Sequence, residues 1–481
     1  MTNRYLEGNF APVREELTVT ELPVTGRIPD YLDGRYLRNG PNPVVDPDPE
    51  TYTWFFGAGM VHGVRLRDGR AEWYRNRWVR SADVARALGE KWRKGSHRGG
   101  ADFASNTNVV GHAGKTLAIV EGGARPYELT EELDTVGPSD FGGTLRGGYT
   151  AHPHRDPATG ELHAVSYSPF WGNHVRYTVT GTDGRVRRTV PIEVTGRPMM
   201  HDFSLTAEHV VFYDLPVAFD ASTFGRIASR VARWGERRAL PQLIESQLMR
   251  LSNTGRVSGA NLPMPYRWNP EYPARVGVMP RNGDGSSVRW FDVEPCYVYH
   301  PLNSYDEDGD EGGRIVLDVI RHPKTFVAGN DPYGGQPTFD RWTVDLAAGK
   351  VIEERLDDRG QEFPRHDERL TGRRHRYGYA AGFIGDDVGF DFADALLKHD
   401  LAGGRTATRS FGAGTKVGEF VFVPSALDAT EDEGVLMGFV HNEGTGRTDL
   451  VLVDAATLDD VATVHLPTRV PYGFHGNWIP T

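Results

Sequence analysis

The chain has 481 residues and a formal net charge of −11 at pH 7, which argues against a binder of duplex nucleic acid, because such proteins normally carry a basic excess. The single cysteine, Cys296, excludes an internal disulfide framework and a cysteine-rich zinc or iron–sulfur site. The first thirty residues contain acids and prolines but no apolar stretch typical of a secretory signal, so we expect a cytoplasmic protein.

Short strands and tight turns recur along the whole chain. The 57 glycines and 31 prolines are spread evenly, which favours many short strands over long helices. Dipeptides such as Asp-Gly and Gly-Gly supply the positive φ that tight hairpins need. In chain order, such patterns predict hairpins over 61–79, 175–194, 342–356, 396–404 and 450–466.

An antiparallel meander of this length must protect the edges of its sheets from pairing with other chains. A β-propeller does so by repeating its blades around an axis. We therefore predict an all-β fold in which residues 1–481 form a single propeller domain, although a pair of stacked β-sandwiches also fits the pattern. Sequence repeats are weak, so periodicity alone does not give the number of blades.

Two segments have helical spacing of their apolar residues. The first spans 81–92 and begins with Ser81 as a plausible N-cap, and the second spans 224–251 with arginines between the apolar positions. On a propeller, insertions around 81–100 and 216–265 are expected to form a helical and loop cap over one face. The second segment is interpreted either as a lid packed on the blades or as a basic amphipathic surface that makes peripheral membrane contact to collect a lipophilic substrate.

Four histidines stand in distinctive surroundings. Each follows, or lies within, an apolar or aromatic stretch, which indicates a buried position, and a buried imidazole needs partners for its ring nitrogens. Taken singly, each is interpreted as an ordinary core histidine. Their separations are too wide for one helix or hairpin to gather them, but successive inner strands of a propeller converge on one axis. These residues are His152, His201, His300 and His475.

Together with further segments, the four histidine segments resemble the carotenoid cleavage oxygenase family, which also includes lignostilbene-cleaving enzymes. The resemblance runs nearly from end to end of the chain. The further matching segments are 8–12, 34–43, 59–62, 214–216, 273–281, 362–364 and 474–476.

This resemblance implies a seven-bladed β-propeller with iron(II), Fe(2+), held on its axis by four neutral imidazoles, one from each histidine segment. In the first of these segments the matching ligand is His152 and not His154. The implied activity is cleavage of a conjugated C=C bond by O2 to give two carbonyl products.

The resemblance also implies three glutamates that accept hydrogen bonds from the ligating rings, at Glu121, Glu362 and Glu431. Such carboxylates fix the tautomer of a ring and raise its basicity. Three glutamates leave one ring without a carboxylate, and this ring is expected to be His152. Thr107 matches a threonine whose methyl group crowds one open coordination position of the metal.

One departure from the family pattern bears on the substrate. Stilbene-cleaving members have a lysine just before the first glutamate, where it holds a phenolic oxygen, and this chain has Val120 there. The sequence therefore favours an apolar polyene, a carotenoid or apocarotenoid, over a stilbenoid or phenylpropanoid. Two other activities stay open: the O2-independent isomerisation and hydrolysis of a retinyl ester by the same kind of metal centre, and a non-oxygenase propeller such as a calcium-dependent lactonase or a binding scaffold.

Overall fold

The structure, a computed structural model, describes residues 3–95, 100–220, 222, 264–308, 313–327, 334–384 and 392–481. The predicted helical segment at 224–251 lies outside the described residues. In the described part of the chain, no helix is long and apolar enough to cross a membrane.

Almost all of the regular structure is antiparallel strand. The strands up to residue 268 are β1 (Thr18–Thr20), β2 (Val24–Gly26), β3 (Gly34–Pro41), β4 (Gly59–Arg67), β5 (Arg70–Trp78), β6 (Asn108–His112), β7 (Lys115–Ile119), β8 (Tyr127–Leu129), β9 (Thr135–Pro138), β10 (His154–Arg155), β11 (Leu162–Ser166), β12 (His174–Thr180), β13 (Val186–Glu193), β14 (Phe203–Leu205), β15 (His209–Asp214), β16 (Val217–Phe219) and β17 (Tyr266–Trp268). The later strands are β18 (Arg275–Pro280), β19 (Arg289–Asp292), β20 (Tyr297–Glu307), β21 (Arg314–His322), β22 (Thr338–Asp345), β23 (Lys350–Asp357), β24 (Gln361–Arg365), β25 (Tyr377–Gly382), β26 (Ala395–Asp400), β27 (Arg405–Ser410), β28 (Thr415–Val417), β29 (Val421–Pro424), β30 (Gly434–Asn442), β31 (Arg447–Asp454), β32 (Asp460–His465) and β33 (Gly476–Pro480).

These strands form the seven blades of a propeller, which confirms the predicted fold class. From the axis outward, the first six blades are β33-β3-β4-β5-β1, β6-β7-β8-β9, β10-β11-β12-β13, β14-β15-β18-β19, β20-β21-β22-β23 and β24-β25-β26-β27. In the seventh blade, β28 and β29 both pair with the inner side of β30, which is followed outward by β31, β32 and β2. All five hairpins predicted from the sequence are present, as β4–β5, β12–β13, β22–β23, β26–β27 and β31–β32.

Strands from both chain ends close the ring. The early strand β2 pairs with β32 and completes the seventh blade, and the last strand, β33, pairs with β3 to become the innermost strand of the first blade. This exchange joins the first and last blades and covers strand edges that would otherwise be free to pair with other chains.

The hydrophobic core lies between neighbouring blades. Tyr177 of β12 packs edge-on against Phe212 of β15, and Tyr213 of β15 packs against Trp342 of β22. All four rings are buried. Because side chains alternate between the two faces of a strand, each blade can present apolar residues to both neighbouring blades.

The helix predicted over 81–92 is shorter in the structure. It is α1 (Ala82–Ala87), and Gly89 follows it with a φ of +71°. A glycine in the left-handed region ends a helix readily, because it has no Cβ to clash there. Ser81 precedes the helix as expected, but its hydroxyl donates to the Asp83 carboxylate and does not cap the backbone. The predicted cap insertion at 216–265 begins with β16, which pairs with β17 directly after the insertion.

Candidate metal centre

Four histidines from four blades meet at one end of the propeller axis. His475 immediately precedes β33, and His152 lies two residues before β10. His201 lies two residues before β14, and His300 lies within β20. One ring nitrogen of each lies within 4.8 Å of those of the other three. The prediction that these four segments come together is confirmed.

Two of the predicted glutamates lie directly behind two of these rings. Glu362, in β24, accepts a hydrogen bond from His300 Nδ1 through Oε2 at 2.6 Å, and its Oε1 lies 2.7 Å from His322 Nε2. Glu121, which follows β7 by two residues, has its Oε2 2.8 Å from His201 Nδ1. That pair is at hydrogen-bond distance, although the angle between the two groups departs from that of a hydrogen bond.

The prediction for Glu431 is wrong, and Glu419 takes its place. Glu419 Oε1 lies 3.0 Å from His475 Nδ1, and its Oε2 accepts the backbone N–H of Gly476 at 2.8 Å. Glu419 stands between β28 and β29, on the inner side of the seventh blade beside β33. Glu431 stands in the turn between β29 and β30, where its carboxylate accepts the backbone N–H groups of Arg376 and Tyr377.

A sequence signal for Glu419 exists in hindsight. Glu419-Phe420 repeats the Glu-Phe pair of Glu362-Phe363, and in both cases the glutamate directly precedes an apolar residue at the inner edge of a blade. In contrast, Glu431 is surrounded by polar turn residues.

Among the four rings, His152 is the one with no carboxylate oxygen at hydrogen-bond distance, as the family resemblance implied. Asp202 Oδ2 lies 3.7 Å from His152 Nδ1, which is beyond hydrogen-bond length. The other oxygen of Asp202 instead accepts a hydrogen bond from His154 Nε2 at 2.7 Å. His154 is therefore held away from the cluster, and His152 is the member of its segment that joins it.

The electrostatics keep the carboxylates ionised behind the rings. Burial acts to raise the pKa of Glu419, but Arg365 and His475 lower it to about 2. Burial likewise opposes ionisation of Glu362, yet His300 and His322 hold its pKa well below the usual range. Burial lowers the pKa of the His152 and His475 rings, so these imidazoles are neutral near pH 7.

The ring nitrogens fit a divalent metal ion. His152 Nε2 is buried and has no hydrogen-bond partner in the described part of the chain. His201 Nε2 and His300 Nε2 face each other at 3.3 Å. Although burial opposes it, Glu362 raises the pKa of His300, so a proton can bridge these two nitrogens in the metal-free protein. With both rings neutral and protonated at Nδ1, the two facing lone pairs suit a metal cation between them. Imidazole nitrogens suit iron, zinc, copper and nickel.

The charge state of Glu419 predicts a pH dependence of stability. Its folded-state pKa of about 2 lies below the ordinary value of 4.5, so its contribution is complete above about pH 4.5 and is lost as the pH falls toward 2. We expect the metal-free protein to lose more unfolding free energy between pH 5 and pH 3 than its Glu419→Gln variant does. Urea unfolding at the two pH values measures this, and an equal loss in both proteins would contradict it.

The structure places Thr107 beside His475. The Thr107 carbonyl accepts the backbone N–H of His475 at 3.0 Å, and its hydroxyl donates to Asn106 Oδ1 at 3.1 Å. The preceding Ala104 and Ser105 both have positive φ, which is uncommon for residues with a side chain. This strained turn presents residues 106 and 107 to the cluster.

Aromatic side chains cover the histidines on one side. Phe363, whose φ is +52°, stacks on His300 with 5.6 Å between centroids and lies 5.3 Å from His475. Tyr299 meets His201 edge-on at 5.3 Å. Phe392 links Phe363 to further rings that extend this aromatic wall, namely Trp54, Phe55, Phe326 and Phe474. Such a wall offers an apolar surface next to the four ring nitrogens.

Comparison with known proteins decides the family. The family model described as "RPE65: Retinal pigment epithelial membrane protein" matches residues 10–480. The "Carotenoid cleavage oxygenase" of Mycobacterium tuberculosis is 54% identical over 100% of this chain and 98% of the relative. The chain belongs to this family of carotenoid cleavage oxygenases. Another member, "Carotenoid 9,10(9',10')-cleavage dioxygenase 1" of Arabidopsis thaliana, is 30% identical over 99% of this chain and 89% of the relative.

Solved structures of the family have the same fold. The lignostilbene dioxygenase of Pseudomonas brassicacearum superposes with a TM-score of 0.82 at 25% identity, covering 100% of both chains. Cobalt-substituted Synechocystis apocarotenoid oxygenase superposes with a TM-score of 0.79 at 25% identity, covering 98% of this chain and 97% of that chain. The chain is thus an enzyme of the non-haem iron dioxygenase class.

Proposed function

We propose that this protein is an iron(II)-dependent dioxygenase that cleaves a conjugated C=C bond of an apolar polyene, a carotenoid or apocarotenoid, with O2 to give two carbonyl products. The observation that carries this proposal is the cluster His152, His201, His300 and His475, with a carboxylate behind three of its rings and an aromatic wall beside it. Relatives named for carotenoid cleavage support the choice of substrate class.

In this proposal the four histidines are the metal ligands. Iron(II) held there would supply the binding and activation of O2. The carboxylates of Glu121, Glu362 and Glu419 keep the proton of each ring at Nδ1, so that Nε2 offers its lone pair to the metal. Thr107, whose backbone lies against His475, is proposed to restrict one of the open positions with its methyl group.

The aromatic wall provides binding and orientation. Partly buried rings such as Phe55, Phe363 and Phe474 bury the surface of a conjugated chain and exclude water from the reacting bond. No side chain needs to act as a general base in this reaction, because the reacting oxygens come from O2.

Val120 supports a polyene over a phenolic stilbene. It is 5% exposed and packs with Ala104 and Ala124, next to the partly buried Phe103. A phenolate would need a cationic or hydrogen-bonding partner at this position. The likeness to a lignostilbene dioxygenase favours stilbenoid cleavage as the second candidate function.

We expect Val120→Lys to lower turnover of an apocarotenal by about tenfold or more, because the ammonium group must be buried in an apolar site. Turnover of a phenolic stilbene should rise. Val120→Met, which adds length without charge, is the matched control and should stay near wild type on both substrates. Product formation is followed by chromatography, and equal effects of Lys and Met on both substrates would count against this assignment of the position.

Oxygen and metal dependence separate the proposed activity from the other two candidates. We expect products from apocarotenals only under air and only with iron. Product formation without O2 would favour isomerisation and hydrolysis of an ester, and tightly bound calcium without iron would favour a lactonase or scaffold. Elemental analysis of the purified protein, together with paired aerobic and anaerobic assays, distinguishes these outcomes.

We also propose that the enzyme is cytoplasmic and takes its substrate from the membrane surface through the cap at 216–265, most of which lies outside the described residues. The arginines between apolar positions of 224–251 support this. Sedimentation with anionic and neutral vesicles tests it, since no binding to either would refute the membrane contact.

A further inference from the structure

A large polar cavity begins at the histidine cluster and runs along the propeller axis. Its volume is about 790 Å³, far above the roughly 10–15 Å³ needed to hold one water molecule. His152, His300 and His475 line its inner end, and the exposed residues Lys115 and Glu131 line its outer end. The metal centre therefore has a water-sized connection to one face of the protein.

The cavity opens on the face of the propeller opposite the aromatic wall, as the direction of the inner strands shows. The cavity is lined by residues that follow the histidines in the sequence, for example residues 477–481 after His475 and residues 153–155 after His152. The neighbouring inner strand β6 contributes residues 110–112. Residues that precede the histidines, such as Phe474 and Tyr299, belong to the aromatic wall. Among the described residues that line the cavity, Trp478 is the one aromatic side chain besides the histidines.

The walls of the cavity suit a hydrated ion. Lys115 pairs with Glu128, and Arg365 lies 3.3 Å from Glu419. The described wall carries two further cations, Arg35 and Arg155, but its five carboxylates outnumber its four cations, the carboxylates being Glu128, Glu131, Asp202, Glu368 and Glu419. Asp202 is the carboxylate nearest His152 on this wall, with one oxygen on His154 and the other 3.7 Å from the His152 ring. Moving an ion from water into an apolar environment is costly, so the aromatic wall is an unfavourable path for a metal ion.

We propose that this axial cavity is the route by which the hydrated metal ion reaches the four histidines, and that Asp202 and His154 hold the ion last before it is bound. Substrate and metal then use opposite sides of the same centre. This inference rests on the proposed metal site, and it assigns the cavity a role in loading the enzyme and none in turnover.

A removable plug tests the route. The only native thiol, Cys296, is buried, and burial raises its pKa to about 12, so it resists labelling. Val110 lines the cavity from the middle of β6 and is partly exposed. Metal-free Val110→Cys protein is labelled with a bulky methanethiosulfonate reagent, and Co²⁺ uptake is followed by its absorption spectrum. Labelled Ile352→Cys, with the thiol on the outermost strand β23 of the fifth blade, is the matched control.

We expect labelled Val110→Cys to take up Co²⁺ about tenfold more slowly or worse, since its path to the site is blocked. Labelled Ile352→Cys should load at the wild-type rate, and removal of the label by a phosphine should restore uptake. Protein that is loaded with iron first and labelled afterwards should keep its turnover. Equal uptake by both labelled proteins, or an equal loss of uptake and turnover, would overturn the route.

The role of Asp202 is tested without a label. Asp202→Asn keeps the shape of the side chain but removes its charge, and we expect the rate constant of Co²⁺ uptake to fall about tenfold or more at low salt, with a weaker salt dependence. An unchanged rate would overturn this role. If wild-type protein binds no Co²⁺ at all, the metal site itself is refuted. If labelled Val110→Cys protein takes up Co²⁺ at the wild-type rate, only the route is refuted.

Discussion

His300→Ala is expected to remove bound iron and reduce polyene cleavage to background. The ring of His300 stands between Glu362 and His201 Nε2, so its loss removes one ligand nitrogen. It also takes from the buried Glu362 carboxylate one of its hydrogen-bond partners, leaving His322 and the backbone N–H of Phe363. An uncompensated buried charge is costly, so the thermal midpoint should fall as well. Iron per chain by elemental analysis and product formation by chromatography measure the two effects.

The matched control for this change is His399→Gln. His399 is also a buried histidine, in β26 of the sixth blade, and its Nε2 hydrogen-bonds Gln361 Oε1 at 2.7 Å, outside the cluster. We expect it to lose stability but to keep iron. Full iron content and activity in His300→Ala would show that the cluster is not the metal site.

Glu419→Gln is expected to lower iron affinity or activity by about 10-fold to 100-fold, because partners behind a ligating histidine typically contribute that much. The amide that replaces the carboxylate orients the His475 ring less strongly and leaves Arg365 with Glu368 as its remaining carboxylate partner. Iron affinity is measured by competition with a chelator, and turnover is measured on metal-saturated protein.

The Glu431→Gln variant distinguishes the role of Glu431 from that of Glu419. Its carboxylate accepts two backbone N–H groups far from the cluster, so we expect a loss of about 1–3 kcal/mol in unfolding free energy and unchanged iron affinity. The reverse pattern, with Glu431→Gln losing iron and Glu419→Gln retaining it, would contradict the position of these residues in the structure.

The fold class could be predicted from the sequence because tight turns are encoded locally. The histidine cluster could be predicted because the order of its segments along the chain matches that of a known family. Tight turns such as Asp68-Gly69 mark hairpins by themselves, and Gly69 indeed has a φ of +68°. The four histidines belong to segments whose order matches a known family, and the convergence of inner strands then brings them together.

The failures come from contacts between distant segments. Glu419 and His475 are 56 positions apart and meet only because the seventh blade closes against β33. The polar residues around Glu431 are typical of a turn, but they do not identify the distant backbone N–H groups of Arg376 and Tyr377 that its carboxylate accepts. The shorter helix α1 has a local cause, since Gly89 ends it before the apolar pattern does.

Mass-spectrometric analysis of the products tests the central proposal most directly. Iron-loaded protein is incubated with an apocarotenal under air, and a chelated sample and an anaerobic sample serve as controls. We predict two carbonyl fragments whose combined composition equals the polyene plus O2, formed only with both iron and air. The same fragments in the chelated sample, or products without added oxygen atoms, would contradict an iron-dependent dioxygenase built on His152, His201, His300 and His475.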